Sequence, residues 1–388
     1  MSGDNGDDTT LGEAGLLARM LPHLSADPRA EVGPGDDAAV VRLPSPRLVV
    51  TTDTLVEGHD FLSRTTTPRW IGHKAAVQNL ADIAAMGAQP VSVVVAISAP
   101  GDTPARVFEQ ITMGLAQRAE ADGVSVVGGD LGRADRLTVT VTALGALEEN
   151  EPPVLRSGAR PGDEIAVGSP RLGRSAAGLA LVLSGRIRVE DEDEDEGEEG
   201  DGRAKATIHG GGEDAGETPG GSATDRPTAG WRLDDASRDL VRWHDAPDPD
   251  LSLGWTVGRR ASAMMDLSDG LVQDGTRIAL ASGVVLDLDP EALAPDVALL
   301  EDLARDLDTD PWQWVLHGGE EHAMLATFPA GSVPDGFRPI GTVRAAEGDV
   351  SAQAGSAGGG AGAGGADRVL LAGAAITGTG FDHFDGHT

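Results

Sequence analysis

The amino-acid sequence predicts an α+β protein of two domains that join near residues 145–160. Helical and strand-like patterns alternate along the chain, and several strand-like segments alternate apolar with polar residues, as antiparallel strands with one buried face do. The length of 388 residues also exceeds that of a usual single domain. We therefore expect an N-terminal domain over residues 1–150 and a C-terminal domain over residues 151–388.

The N-terminal half opens with a predicted helix over residues 11–24, for which Thr10 and Glu13 have the spacing of a capping box. A second helix is predicted over residues 73–87, where Asn79 and Asp82 share a face that is separate from the apolar stripe. The other predicted elements of this half are strands at 39–43, 47–52 and 91–98, a helix from Thr103-Pro104 to about residue 122, and two further strands, the second at 137–144.

Two low-complexity segments interrupt the C-terminal half. Residues 189–230 are first nearly all Asp and Glu and then rich in Gly, Thr and Ser, with too little apolar content to fold. We predict a disordered acidic insertion there, and a second flexible loop at the Gly/Ala-rich residues 352–366. The helical and strand patterns of this half lie at 164–168, 172–184, 232–245, 261–289 and 301–343.

The charge of the chain is strongly acidic, at −33. Residues 190–230 contribute 14 acidic against three basic residues, but most of the excess is spread over the rest of the chain. Lys74 and Lys205 are the only lysines. A distributed acidic surface with so little lysine is typical of proteins adapted to molar salt, where screening over about 3 Å removes self-repulsion. Such a surface repels nucleic acids and anionic membranes, so we expect neither as a partner.

The chain has no cysteine, which excludes disulfides, thiolate metal sites and cysteine nucleophiles. No run of 18 apolar residues is present to span a membrane. The acidic N-terminus lacks the basic start and apolar stretch of a signal peptide. The sequence therefore predicts a cytoplasmic protein.

Short acidic motifs, rather than a nucleotide-binding loop, carry the chemistry of this sequence. Neither a G-x-x-x-x-G-K-[ST] nor a strand-linked G-x-G-x-x-G motif is present. Instead, carboxylates recur beside glycine or small hydroxyl residues at the predicted ends of strands. Hard oxygen ligands of this kind suit Mg²⁺, although solvated turns would give the same pattern. The motifs are Gly35-Asp36-Asp37, Thr51-Thr52-Asp53-Thr54, Asn79-Leu80-Ala81-Asp82, Gly128-Gly129-Asp130, Asp266-Leu267-Ser268-Asp269-Gly270 and Gly318-Gly319-Glu320-Glu321.

Taken whole, these motifs resemble those of thiamine-monophosphate kinases. The resemblance covers about residues 11–384, apart from the two low-complexity segments. The matching stretches, in the family's order, are residues 51–58, residues 74–88, Gly128-Gly129-Asp130, Arg156-Ser157-Gly158, residues 266–271 and Gly380-Phe381-Asp382-His383-Phe384.

The resemblance implies a fold, an activity and partners. The fold is that of the aminoimidazole ribonucleotide synthetases, in which two N-terminal domains pair across a homodimer into a β-barrel and an α/β C-terminal domain follows. The activity is transfer of a phosphoryl group from ATP to thiamine monophosphate, assisted by several Mg²⁺ ions in each active site.

The resemblance also implies roles for individual residues. Asp53, Asp82 and Asp130 are expected to be catalytic. Positions that match the family's magnesium ligands are Asp37, Thr51, Thr52, Asp53, Asp82, Asp130, Asp266 and Asp269. Positions that match its nucleotide contacts are Gly129, Asp130, Arg156 and Ser268. Asp60, Glu320 and Phe381 are the candidates for contact with the acceptor.

The chain departs from the family's pattern in two places. Asp60 stands where the family usually carries His, and Glu321-His322-Ala323 replaces Asp-Tyr-Glu after the shared Glu320. Both departures concern the acceptor side. Two alternatives stay open: a sister ATP-dependent synthetase of the same fold, and a nucleotide- or thiamine-binding regulator that has lost catalysis through these departures.

Overall fold

The computed structural model describes residues 11–34, 38–185, 235–346 and 368–376. Several sequence-based predictions concern residues outside these ranges and are not tested by the structure. They are the acidic insertion at 189–230, the loop at 352–366, and the roles of Asp37 and Phe381.

A four-stranded sheet covered by two helices forms the N-terminal half. Its strands have the order β3-β6-β4-β5, in which β4 and β5 are parallel and the other neighbours antiparallel. In chain order the elements are α1 (Glu13–Met20), β1 (Ala30–Val32), β2 (Val40–Val41), β3 (Arg47–Val56), α2 (Pro68–Ala85), β4 (Gln89–Ala99), α3 (Ala105–Ala121), β5 (Ser125–Arg133) and β6 (Thr138–Leu147).

The two faces of this sheet differ, as the residue alternation in β6 predicts. Val139 and Val141 are fully buried against the helices, while the intervening threonines are only partly covered. On the other face of β3, Leu48 and Val50 are about half exposed. Within the described residues, this second face of the sheet therefore has no layer packed on it.

The helix ends correct three expectations from the sequence. α2 starts at Pro68 rather than at residue 73, because Thr67 accepts a hydrogen bond from the N–H of Trp70 at 3.2 Å and Pro68 suits the first helical position. α3 has Pro104, not Thr103, at its N-cap position. The capping box predicted for α1 is wrong, since Gly12 is the N-cap and makes no side-chain bond.

A seven-stranded sheet organises the C-terminal half, with the order β13-β12-β9-β11-β7-β10-β8. Within it, β7, β8, β9, β10 and β11 pair antiparallel, and β12 runs parallel to β9. The elements are β7 (Glu164–Val167), α4 (Arg174–Leu183), α5 (Asp235–Asp245), α6 (Ser252–Trp255), β8 (Ala263–Asp266), α7 (Leu271–Ser282), β9 (Val284–Leu288), α8 (Pro290–Asp306), α9 (Pro311–His317), β10 (Met324–Phe328), β11 (Arg338–Ala345), β12 (Val369–Leu371) and β13 (Ala374–Ala375).

Helix α2 lies at the junction of the two halves. Most of its residues are buried, including the polar Lys74 and Asn79. One apolar core joins α2 and the N-terminal sheet to Met264 of β8 and Met324 of β10. A helix buried on most sides has little freedom to move, so its polar side chains are held between the two sheets. No helix within the described ranges is both long and apolar enough to cross a bilayer.

Helices α2 and α3 approach so closely that glycine is required at the contact. A Cβ on Gly114 would lie 1.8 Å from the carbonyl oxygen of Arg69, and one on Gly72 would lie 1.9 Å from that of Ile111. Both contacts are with backbone atoms, which cannot rotate away.

We expect Gly114→Ala to lower the free energy of unfolding by about 3 kcal/mol. Moving α2 away from α3 destabilises the fold by more than the higher helix propensity of alanine stabilises it. Denaturant unfolding followed by circular dichroism measures this change. Gly33→Ala is the matched control, since no atom of the described part of the chain, apart from the adjoining residues, lies within 4 Å of the added Cβ. Equal stability of the two variants would contradict the account.

Candidate active site

Strand β3 and helix α2 present two carboxylates to the same place. The N–H of Asp53 donates to Oδ1 of Asn79 at 2.9 Å, and Asn79 in turn donates to the carbonyl of Ala75 at 2.9 Å. The hydroxyl of Thr51 donates to Oδ2 of Asp82 at 2.6 Å. Residues two apart on a strand and three apart on a helix share a face, so these four side chains meet between β3 and α2.

A third carboxylate comes from the C-terminal half. Asp266 ends β8 and is only 4% exposed. It adds to the negative potential at both Asp53 and Asp82. The junction of the two halves therefore gathers Asp53, Asp82 and Asp266, three of the positions that the resemblance assigns to magnesium ligands.

The turn after Asp266 is fixed by a buried carboxylate. Asp274, in the first turn of α7, accepts hydrogen bonds from the N–H groups of Asp269 at 2.9 Å and Gly270 at 3.1 Å. Arg277 donates to Asp274 at 2.6 Å and also contacts the carboxylate of Asp269. Asp269 thus lies on the same loop as Asp266, but its charge is paired with a guanidinium.

The grouped carboxylates repel one another. Burial, together with the charges of Asp82 and Asp266, raises the pKa of Asp53 to about 7. Burial also raises the pKa of Asp82, with Asp266 again contributing. Buried carboxylates without a cation are costly, so this cluster has the electrostatics of a site that binds positive charge.

The donor atoms of the cluster suit a hard divalent cation such as Mg²⁺, because all of them are carboxylate or hydroxyl oxygens. Among the described residues, no group of three His, Asp and Glu side chains is already arranged to hold a metal ion. Mg²⁺ retains waters and substrate phosphates in its shell, so one or two carboxylates for each ion are sufficient. The fit to Mg²⁺ therefore depends on donor chemistry and charge.

Asp130 and Gly129 lie apart from this cluster. Both are inside β5 rather than at a strand end, and Asp53 is likewise inside β3, which corrects the sequence-based placement of these motifs. Strands β3 and β5 are the two edges of the sheet, so three strand spacings, about 14 Å, separate them.

The register also places Asp130 on the other face of the sheet. One row of residues across the sheet begins at Thr54 in β3 and ends at Asp130 in β5, by way of Thr140 in β6 and Ala96 in β4. The row of Asp53 instead ends at Gly129. Thr52, which alternates with Asp53, shares the exposed face with Asp130. Within one chain, Asp53 and Asp130 do not meet.

The predicted nucleotide contacts in the C-terminal half lie on loops beside β8. Arg156 is exposed, and its carbonyl accepts a hydrogen bond from the hydroxyl of Ser282 at 3.2 Å. The neighbouring carbonyl of Leu155 accepts from the N–H of Met264 at 3.0 Å. Ser268 is partly buried, and its carbonyl accepts from the N–H of Glu320 at 2.8 Å.

The predicted acceptor side is organised around a buried lysine. Nζ of Lys74 lies 2.7 Å from Oε1 of Glu320 and donates to the carbonyl of Asp60 at 3.3 Å. The other Glu320 oxygen is 3.2 Å from Nδ1 of His244. The Asp60 carboxylate accepts the N–H of Val56 at 2.7 Å. Lys74 therefore connects two of the three predicted acceptor contacts.

The charges at Glu320 oppose the effect of its burial. Burial acts to raise the pKa of Glu320, but Lys74 and His244 outweigh it and hold the pKa below the usual value. Next to His244, burial raises the pKa of Asp245 to about 8. A carboxylate that is kept ionised thus lies beside one that holds its proton.

Sequence reasoning missed several residues of this region. Asp274 carries a usable signal, since an acid in the first turn of a helix after Ser-Asp-Gly is a common loop anchor. The pairing of Glu320 with Lys74 and His244 has no local signal, because these residues are far apart in the chain. The residues missed are His244, Asp245, Asp274, Arg277 and His322.

The N-terminal half of the chain is similar to proteins related to AIR synthase. The family model for "AIR synthase related protein, N-terminal domain" matches residues 35–147. The thiamine-monophosphate kinase of Mycobacterium tuberculosis is 39% identical over 334 residues, which cover 86% of this chain and 85% of that protein. The chain therefore belongs to the thiamine-monophosphate kinase family, which confirms the resemblance of the motifs.

Solved structures agree with this assignment. The thiamine-monophosphate kinase of Stenotrophomonas maltophilia K279a has a TM-score of 0.68 at 26% identity, covering 94% of this chain and 96% of that one. AaThiL complexed with AMPPCP and TMP has a TM-score of 0.66 at 26% identity, covering 96% and 97%.

The raised pKa of Asp53 predicts how stability depends on pH. The folded state holds the Asp53 proton to about pH 7, whereas the ordinary value is 3.8, so it binds more protons than the unfolded state between these values. Stability contributed by this group is therefore present at low pH and is lost as the pH rises through 7. Asp53→Asn removes this titrating group and with it this dependence of stability on pH. At pH 8 without divalent cations it should be more stable than the wild type by about 1–2 kcal/mol, a value reduced for partial exposure to water.

Denaturant unfolding of both proteins at pH 5 and pH 8 measures this difference. The exposed Asp102 provides the control, because Asp102→Asn removes one charge outside the cluster. An Asp53→Asn protein that gains no more stability between the two pH values than Asp102→Asn would show that Asp53 is not repelled by its neighbours.

Proposed function

We propose that this chain transfers the γ-phosphoryl group of ATP to thiamine monophosphate, which gives thiamine diphosphate and ADP. The observation that carries the proposal is that Asp53, Asp82 and Asp266 lie together at the junction of the two halves, near the ion pair of Lys74 and Glu320. Asp82 and Lys74 both belong to α2. The family membership supports the substrates, as does the related AaThiL, whose structure includes AMPPCP and TMP.

The chemistry of the acceptor agrees with the residues available. A phosphate monoester has a second pKa of about 6, so its attacking oxygen is already ionised near neutral pH. No general base is then required. The side chains of the site instead have to hold two polyanions close together, since one pair of unit charges at 4 Å costs roughly 4 kcal/mol at an effective dielectric of 20.

We assign the metal-binding role to the oxygen donors at the junction. Mg²⁺ held there, proposed as several ions in each site, would supply positive charge and so lower the cost of bringing the two phosphates together. The residues proposed to hold it are Thr51, Asp53, Asp82 and Asp266 at the junction, together with Thr52, Asp130, Asp269 and Asp37 from the matching motifs, of which Asp37 lies outside the described residues. Gly129, Asp130, Arg156 and Ser268 are proposed to contact ATP, with Arg156 adding charge at its phosphates.

We assign the acceptor to the other end of α2. Glu320, which Lys74 and His244 keep ionised, provides negative charge for the cationic thiazolium. Asp60 lies within the same Lys74 network, and Phe381 is proposed to add an aromatic face. In this assignment Lys74 orients Glu320 and Asp60, and α2 sets the separation between acceptor and metal.

We also propose a homodimer in which each active site combines residues of two chains. Within the described residues, β3 pairs only with β6 and β5 only with β4, which leaves two long edges and an uncovered face. Pairing β3 of one copy with β5 of another would close eight strands into a barrel and protect both edges. It would also bring Asp130 of the second copy beside Thr52, the neighbour of Asp53 in the chain, on the face that Asp130 and Thr52 share.

The remaining proposals concern domains and surroundings. We propose that residues 1–150 form the dimerising, ATP- and Mg²⁺-binding domain and that residues 151–388 form the second domain. The acidic, lysine-poor composition supports a cytoplasm of high salt as the site of action.

Product identification tests the reaction. With ATP, thiamine monophosphate and Mg²⁺ in molar KCl, we expect thiamine diphosphate and ADP in equal amounts, measured by chromatography.

Asp53→Asn should reduce kcat by roughly a hundredfold or more, because it removes a charge that acts on the transferring group. The exposed Asp102→Asn should retain full kcat. An Asp53→Asn enzyme with normal kcat at saturating Mg²⁺ would falsify the site assignment.

Mixing two inactive variants tests the shared site. In a dimer of one Asp53→Asn and one Asp130→Asn protomer, one of the two sites would have both aspartates. Equal amounts, unfolded and refolded together, should therefore recover about a quarter of wild-type activity. Each variant refolded alone is the control. If both aspartates act within one chain, the mixture will be as inactive as its components.

A further inference from the structure

The segment Glu320-Glu321-His322 has an unusual backbone. Glu320 has φ of 59° and His322 has φ of 50°, both in the left-handed region. Non-glycine residues rarely adopt this conformation, because their Cβ lies too close to the following carbonyl oxygen. Two such residues on either side of one buried residue indicate that the surrounding contacts, rather than local preference, determine where these side chains are held.

Backbone hydrogen bonds fix the segment against the loop that follows β8. The N–H of Glu320 donates to the carbonyl of Ser268 at 2.8 Å, and the N–H of His322 donates to that of Leu267 at 2.8 Å. The N–H of Leu267 donates back to the carbonyl of Ala323 at 2.9 Å. The position of this segment is therefore coupled to that of the proposed metal-binding loop.

Glu321 anchors the middle of the segment. Its carboxylate is buried and accepts hydrogen bonds from the N–H of Ser175 at 3.0 Å and from Nε1 of Trp243 at 2.8 Å. Ser175 lies in the first turn of α4, where the backbone N–H groups have no acceptor within the helix and therefore favour an anion. With Glu321 held there, Glu320 and His322 are available for other partners.

The two flanking side chains serve different parts of the site. Glu320 pairs with Lys74 and His244 on the acceptor side. On the metal side, Nδ1 of His322 lies 3.3 Å from Oδ2 of Asp266, and both residues are almost completely buried. His322 is the described side chain for which the structure gives a hydrogen bond to the Asp266 carboxylate.

We propose that His322 is a positioning residue that orients Asp266 for a divalent cation, an inference that rests on the proposed function. A buried carboxylate with one oxygen held by an N–H donor has a fixed direction in which to bind a metal. Partners of this kind commonly change metal affinity by 10–100-fold.

Three substitutions separate positioning from simple packing. In His322→Asn the amide nitrogen occupies the place of Nδ1, and Asn tolerates the left-handed conformation. In His322→Gln the nitrogen lies one carbon further out, and in His322→Leu the donor is absent. We expect Mn²⁺ affinity to fall about tenfold or more in the Leu and Gln variants and to remain within about threefold of wild type in the Asn variant.

Electron paramagnetic resonance of free Mn²⁺, titrated into each protein with a non-hydrolysable ATP analogue, gives the affinities without turnover. In steady-state assays the Leu variant should need about tenfold more Mg²⁺ for half-maximal rate, while its KM for thiamine monophosphate stays within about threefold. His73→Leu is the control, because His73 is bonded to the carbonyl of Pro247 and to no carboxylate of the cluster.

The outcomes distinguish this inference from the proposed function. If the wild type binds no Mn²⁺, the proposed metal site itself is wrong. If the wild type binds Mn²⁺ and His322→Leu binds it equally well, only the role of His322 is overturned. Equal losses in the Leu and Asn variants, or the same loss in His73→Leu, would likewise assign His322 to packing alone.

Discussion

Repulsion among three buried carboxylates is the constraint on which the rest of the site depends. Asp53, Asp82 and Asp266 come from a strand of the first sheet, a central helix and a strand of the second sheet, and their proximity is unfavourable without a cation. The surrounding core has to supply the free energy that keeps them together. Close packing of α2 against α3 and of both sheets against α2 supplies it, so stability elsewhere maintains an electrostatically strained site.

Helix α2 also determines the distance over which the reaction would take place. Lys74 and Asp82 are eight residues apart on this helix, which corresponds to about 12 Å. One end of the helix faces the Glu320 pair, and the other faces the carboxylates. Because α2 is buried along most of its length, neither end can move independently, and the spacing between the proposed acceptor and metal positions is a property of the helix.

The segment 320–322 of the C-terminal half also contacts both regions, the Lys74 network and the carboxylate cluster. Successive side chains of this segment point in different directions, so that Glu320 contacts Lys74 and His322 contacts Asp266. Glu321, between them, is anchored on α4. The departures from the family's motif therefore do not remove the acceptor carboxylate. They change the residues that hold it, since a buried Glu and a buried His now fix the segment by their own hydrogen bonds.

The sequence by itself determined the α+β class and the main helices and strands, because periodicity and turn chemistry act over a few residues. Its resemblance to a family also singled out Asp53, Asp82 and Asp266, while only the packing of the two halves shows that these three carboxylates lie together. It did not determine that Asp130 lies on the opposite edge and face of the sheet from Asp53, since strand order is set by long-range pairing. Nor did it indicate that Lys74 binds Glu320, or that His322 binds Asp266. Those contacts join residues 246 and 56 positions apart, and only the packing of two sheets around α2 brings them within hydrogen-bond distance.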